Sequence, residues 1–310
     1  MKKFILPLVF AALALPTAAS ADLPKDVQEA IAKMGHVNDP KTAPLFAPFH
    51  KAGLPSDIKV TRDLAFGSDP AQKLDMFTSG QGAGKPILIY VHGGGFTRGD
   101  KHRPGEFMYD NVMEWAVQHG MVAVQTNYRL APQFKYPAAN DDVSAAVKYV
   151  RDHARDYGGD PNKIFVWGHS AGASLVAILV SHPNFVKATG GNLAGAFITS
   201  GQYEFKAPHP YAGDDPAKVA EVNAVEGLKK TDIPLFFTRA EWDMPSQMQQ
   251  GDMIDKTLTA AGKEHGFHLM AGHNHMSQVY SIGTNETQLS DRMLAFIQQY
   301  SANVKAASAK

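Results

Sequence analysis

The strongest constraint on this chain is five residues long. Gly168-His169-Ser170-Ala171-Gly172 stands between an apolar run, Ile164-Phe165-Val166-Trp167, and the stretch Ala171 to Val180, which is small and apolar enough for a buried helix. A serine between two glycines at this spacing is common by chance. Between a strand and a helix it gains a physical meaning. The chain must turn from strand to helix within a few residues, side chains at the flanking positions would clash, and glycine removes the clash. The turn lifts the Ser170 hydroxyl above the sheet, at a helix N-terminus whose dipole favours developing negative charge. The plainer alternative is a tight turn in which Ser170 only caps the helix.

The surroundings fit a strand–turn–helix setting. Ile58 to Phe66 and Lys73 to Phe77 alternate as strands do, while Pro86 to Val91 and Met121 to Thr126 are continuous apolar runs, as in strands buried on both faces. Asp141 to Tyr157 carries Val143, Ala146, Val147 and Val150 at helical spacing, and Gly158-Gly159-Asp160-Pro161 stops it. Further strands are predicted at Leu193–Thr199, Ile233–Thr238 and Gly266–Met270, and helices at Gln247–Ala261 and Gln288–Tyr300. Alternating strands and helices predict an α/β protein: a mostly parallel central sheet covered by helices on both faces. Residues 201–232, rich in Gly, Pro, Tyr and Asp, form a long excursion between two strands and a candidate cap or lid. Residues 22–56 read as an N-terminal arm with a short helix, and residues 57–302 as one α/β domain.

A second motif, His92-Gly93-Gly94-Gly95-Phe96, follows the strand ending at Val91. Three successive glycines expose backbone N–H groups and allow an anionic oxygen close approach. Gly94 and Gly95, with the N–H of Ala171, are the candidate oxyanion donors, each worth about 3 kcal/mol in a transition state. Alone, the run is equally readable as a flexible turn; the downstream Gly168–Gly172 motif is what gives it weight. His92 reads as a residue that shapes the loop rather than as a base.

With these motifs the chain resembles the α/β-hydrolases of the carboxylesterase type, near the hormone-sensitive-lipase-like esterases. Asn127-Tyr128-Arg129-Leu130-Ala131-Pro132, its continuation Tyr136-Pro137-Ala138-Ala139-Asn140-Asp141-Asp142, and Gly159-Asp160-Pro161 are similar to segments of that group and stand in its order. Two departures, His169 before the serine and Met244-Pro245 after the acid, look more like the branch of feruloyl and acetyl esterases and kynurenine formamidases. The resemblance implies the α/β-hydrolase fold and hydrolysis of small or medium acyl esters without a cofactor. It also implies a serine nucleophile, then an acid, then a histidine in chain order. Asp243, in Glu241-Trp242-Asp243 after the strand at Ile233, is the first choice of acid, with Glu241 next and Glu204 more distant. Of the two histidines in Gly272-His273-Asn274-His275-Met276-Ser277, the resemblance favours His275 over His273. Phe96, Tyr203 and Trp242 are candidate substrate contacts.

Three rival readings remain open at this level: an amide-directed hydrolase (arylformamidase or exopeptidase), a hydrolase-fold binding module without catalysis, and an interfacial lipase. Metal binding by His265, His268, His273 and His275 lacks an acidic ligand set of recognisable spacing, so no metal is expected. Thirty basic residues balance thirty acidic ones, which argues against a nucleic-acid surface, and the absence of cysteine excludes disulfides and a thiol nucleophile. Met1-Lys2-Lys3, an apolar run to Leu15 and Ala19-Ser20-Ala21 have the layout of a secretory signal peptide at residues 1–21, predicting a periplasmic or secreted protein with no stable membrane anchor.

Overall fold

The computed structural model describes residues 22–36, 40–50, 53–80 and 82–308, with the side chains of the last four left aside. The expected signal segment, residues 1–21, lies outside them. Eight strands form one sheet: β1 (Lys59–Ala65), β2 (Lys73–Thr78), β3 (Lys85–Val91), β4 (Val122–Thr126), β5 (Gly159–His169), β6 (Gly195–Thr199), β7 (Leu235–Trp242) and β8 (Gly266–Asn274). Their order is β1-β2-β4-β3-β5-β6-β7-β8. β2 runs antiparallel to β1 and β4, and every pairing from β4 to β8 is parallel.

Alternation along the strands divides the core into two layers. Ile87, Ile89 and Val91 of β3 pack with Ile164 and Val166 of β5 beneath helices Ala138–His153, Ala171–Ser181 and Pro245–Ala260. Leu88 and Tyr90, with Phe165 and Trp167, face the other way, toward helices Lys25–Met34, Asp110–Gln118 and Gln288–Ser308. Helix Ala171–Ser181 is buried along its whole length, as its small, apolar sequence requires.

Several boundaries move. The helix expected from Asp141 begins at Ala138 and ends at His153, and a 3-10 turn carries the chain to Gly158, whose φ of 80° a residue with a Cβ seldom adopts. Gly159, expected to help stop that helix, instead begins β5, opposite Lys85. The N-terminal residues are not a loose arm: Leu23, Val27 and Ile31 are buried in the second layer, which makes this segment part of the same core. The excursion at 201–232 holds two short helices, Pro216–Glu221 and Val225–Leu228. Its aromatic residues pack on the motif loop: Tyr211 stacks on Phe96 at 5.0 Å between ring centroids, and Phe205 meets Phe96 edge-on at 6.1 Å.

One charged cluster is built into the antiparallel end of the sheet. Asp75 on β2 has no exposed side-chain surface and pairs with Arg62 on β1 at 2.8 Å and with buried Lys101 at 2.8 Å. The backbone N–H of Lys101 also donates to Asn127 Oδ1 at 2.6 Å, which ties the segment after the glycine loop to the end of β4. Burial works to raise the Asp75 pKa, but the bonds from Lys101, Arg62 and the Asp63 N–H outweigh it and hold the carboxyl below its ordinary value. A depressed carboxylate stabilises the fold fully above its unfolded pKa and loses that contribution as pH falls toward the folded value. Asp75→Asn is therefore expected to lower stability by about 1–3 kcal/mol at pH 7, because Arg62 and Lys101 each lose a charged partner and keep one other, Asp110 and Asp63 respectively. The gap between variant and wild type should narrow below about pH 4. Urea unfolding across this pH range checks both statements, and a gap constant with pH contradicts the assignment.

Candidate active site

The parallel register of β3 on β5 places Val91 opposite Gly168, so the two motif loops leave the sheet side by side. Ser170 has φ 57° and ψ −121°, a strained conformation for a residue with a side chain, and it is the N-cap of helix Ala171–Ser181. The flanking glycines are explained by distance. A Cβ on Gly168 would lie 2.2 Å from the Gly172 carbonyl oxygen, and one on Gly172 would lie 2.1 Å from the Val91 oxygen. Both contacts are with backbone that cannot swing aside. The two loops also meet directly, since a Cβ on Gly93 would stand 3.0 Å from Ser170 Cβ.

The glycine loop turns back on itself at Gly94 (φ 119°), where a Cβ would stand 1.9 Å from the Arg98 carbonyl oxygen. Gly95 (φ 63°) faces open space. Neither Gly94 nor Gly95 has a backbone acceptor for its N–H among the described residues. His92 is buried, its ring stacks on Tyr128 at 4.5 Å, and its carbonyl accepts the Tyr128 hydroxyl at 2.9 Å. Burial pushes the His92 pKa down to about 4, so the ring is neutral at pH 7 and serves to shape the loop.

β7 runs four residues further than the sequence pattern indicates and delivers Asp243 directly at its carboxyl end. Asp243 is fully buried. Its Oδ1 accepts from His275 Nδ1 at 2.7 Å and from the Met244 N–H at 2.9 Å. Its Oδ2 accepts from the Ala240 N–H at 3.1 Å and from the Ser200 hydroxyl. Burial acts to raise the Asp243 pKa, and His275, Ser200 and the Ala240 N–H together hold it below its ordinary value. With Nδ1 donating to Asp243, His275 Nε2 is left buried and without a hydrogen-bond partner among the described residues. The His275 ring lies 4.6 Å from that of His169, the residue preceding Ser170.

The alternatives fall elsewhere. Glu241 is exposed and accepts the Gly272 N–H at 2.8 Å, and Glu204 is exposed in the excursion. His273 is buried rather than solvated: its Nδ1 meets Ser277 Oγ at 3.0 Å and its Nε2 lies 3.6 Å from buried Glu286. His265 pairs with Asp255 at 3.0 Å. Among the described residues no group of three metal-ligating side chains converges. Of the candidate substrate contacts, Tyr203 is fully buried and meets the Phe237 ring at 5.6 Å in an edge-to-face arrangement. Phe96 is buried under Tyr211 and Phe205, and Trp242 is half-buried against His36 at 5.1 Å. Ser200 and Gln278 were not singled out by any motif, yet both belong to the hydrogen-bonded surroundings of Asp243.

The strand order, the sharp turn at a serine after β5, the glycine loop after β3 and an Asp–His pair after β7 and β8 define the α/β-hydrolase fold. Comparison with known proteins agrees. Residues 74–207 match the BD-FAE family model. The carboxylesterase NlhH of Mycobacterium tuberculosis is 40% identical over 96 residues, which are 30% of this chain and 28% of that protein. The esterase LipC of the same organism is 30% identical over 196 residues, 63% of this chain and 40% of its own length. The chain therefore spans well under half of these relatives. In overall shape it is similar to esterase B from Lactobacillus Rhamnosis, with a TM-score of 0.72 over 92% of this chain and 96% of that one at 18% identity. The chain has the α/β-hydrolase fold, and its sequence similarity runs to esterases.

The glycine distances carry a direct test. Gly172→Ala forces the turn away from β3 and is expected to cost about 3 kcal/mol or more, since the obstacle is backbone. Thermal unfolding reads it, and an unchanged Tm would contradict the close approach.

Proposed function

We propose that this protein is a serine carboxylesterase acting on small or medium acyl esters. The observation that carries the reading is the buried Asp243–His275 bond at 2.7 Å, with His275 Nε2 unpartnered among the described residues, beside the strained turn that presents Ser170. A serine hydroxyl is a poor nucleophile at neutral pH and needs a positioned base. In this reading His275 Nε2 takes the proton as Ser170 Oγ attacks the ester carbonyl, and later gives it to the leaving alcohol. Asp243 holds the imidazole in the tautomer with its proton on Nδ1 and stabilises the cation that forms. The N–H groups of Gly94, Gly95 and Ala171 receive the oxyanion. Water, activated by His275, then releases the acid from the acyl-enzyme. Each step moves one proton between named atoms and calls on no cofactor.

The relatives include a carboxylesterase and esterases, which supports the ester, and an arylacetamide deacetylase of Bos taurus, 38% identical over 93 residues, which keeps an amide in the panel. The leader-like residues 1–21 support an exported enzyme. Among the described residues no helix is long and apolar enough to cross a membrane. Short p-nitrophenyl esters, a formamide and an aminoacyl anilide form the substrate panel. The expected result is ester turnover that falls at least about 10³-fold in Ser170→Ala, with fluorophosphonate labelling confined to Ser170. Equal turnover by both proteins overturns the mechanism, a preference for the formamide or anilide overturns the substrate class, and unlabelled folded protein favours a binding module. Fractionation of expressing cells tests export: retention of a full-length chain in the cytoplasm contradicts it.

A further inference from the structure

The acid is fixed from both sides, and the second side uses residues to which the reaction assigns nothing. Ser200 stands at the carboxyl end of β6 with φ 56°, one of four non-glycine residues at positive φ among the described residues. Its hydroxyl bonds Asp243 Oδ2, and its oxygen is 2.7 Å from Gln278 Nε2. Ser200, Gln278 and Asp243 are all buried. The direction of these bonds follows from the groups themselves. An amide nitrogen only donates, so Ser200 Oγ accepts from Gln278 and sends its own proton to Asp243. Gln278 Oε1 in turn accepts from Thr238 Oγ1 at 3.3 Å.

Gln278 lies three residues after His275, on the short helix Ser277–Tyr280. The polar path is therefore a closed ring. It leaves Asp243 through Oδ1 to His275, passes along the backbone to Gln278, crosses to Ser200 and returns to Asp243 through Oδ2. Asp243 Oδ2 is held by the Ala240 N–H at 3.1 Å and by the Ser200 hydroxyl, and without the hydroxyl only the longer backbone bond resists rotation about the Cβ–Cγ bond on that side. Rotation of Asp243 would misdirect the proton on His275 Nδ1 and, with it, the free Nε2. Glycine would occupy the φ of Ser200 without strain, so the hydroxyl is kept against a local conformational preference.

We propose that Ser200 and Gln278 are positioning residues for the acid, delivering the Ser200 O–H to Asp243 Oδ2 so that His275 is held in its working orientation. The proposal rests on the esterase reading for its kinetic consequence, and its spectroscopic consequence stands independently. Ser200→Gly is the informative variant, because glycine accepts this backbone conformation and only the hydroxyl is lost. Its Tm should stay within a few degrees of the wild type, because relief of the backbone conformation offsets part of the two lost hydrogen bonds. Its kcat on a short ester should fall about ten- to hundredfold, the weight of a hydrogen bond to a charged group, with KM within about twofold. The low-field proton resonance of His275 Nδ1–H, assigned by its loss in His275→Gln, should shift in Ser200→Gly. Gln278→Leu should give a smaller loss of kcat, and combining it with Ser200→Gly should add little, as expected for two members of one path. A Ser200→Gly protein with the wild-type Nδ1–H resonance overturns the proposal whatever its turnover. If the wild type turns over no ester, the esterase reading fails and the resonance still decides this one. Fully additive losses in the double variant remove Gln278 from the path.

Discussion

Everything at the candidate site depends on how closely two backbones approach at the carboxyl ends of β3 and β5. The Gly172 Cα sits where a Cβ would come within 2.1 Å of the Val91 carbonyl oxygen. Helix Ala171–Ser181 can therefore lie directly against β3 and still leave the sheet at β5. β3 is also where the chain order reverses, since β4 lies on one side of it and β5 on the other. Connections diverge there and leave a crevice above the carboxyl ends of the strands. The glycine loop and the Ser170 turn are the two lips of that crevice. Glycine at 93 and 172 answers one demand, that backbone rather than side chain fill the gap between the lips, while Gly94 and Gly168 permit the tight turn within each lip.

What the sequence makes legible follows from this. A close approach of backbone leaves a fixed glycine spacing, so the Ser170 turn and the Gly93–Gly95 loop are visible as motifs. Buried parallel strands leave apolar runs, so the sheet and its two covering layers are visible too. The candidate acid and base are less so. Asp243 and His275 each stand among neighbours of the same chemistry, Glu241 and His273, and only the fold separates them. β7 continues through Glu241 and Trp242, which leaves Glu241 exposed and brings Asp243 to the strand end beside His275. His273, on β8 itself, is turned toward Ser277 and Glu286. Ser200, Gln278 and the Arg62–Asp75–Lys101 cluster left no signal, because each depends on residues 13 to 78 positions apart meeting through tertiary packing.

Ser170 and Ser200 stand at the carboxyl ends of neighbouring strands, β5 and β6, and both have φ near 57°. Conformations of this kind cost about 1–3 kcal/mol each and persist where the surroundings over-determine them. The surroundings here can be named. The Ser170 N–H donates to the Thr199 carbonyl at 2.9 Å, and the Ser200 N–H donates to the Thr238 carbonyl at 2.8 Å. Each strained residue is thus pinned by the next strand across, β5 to β6 and β6 to β7, in a stepwise lock that runs toward Asp243. The Ser170 turn and the acid are coupled through backbone hydrogen bonds even before any side chain meets another. A sheet of parallel strands can hold such a line because its core is packed on both faces, and the strain is confined to the one edge where the strands end and the chemistry is placed.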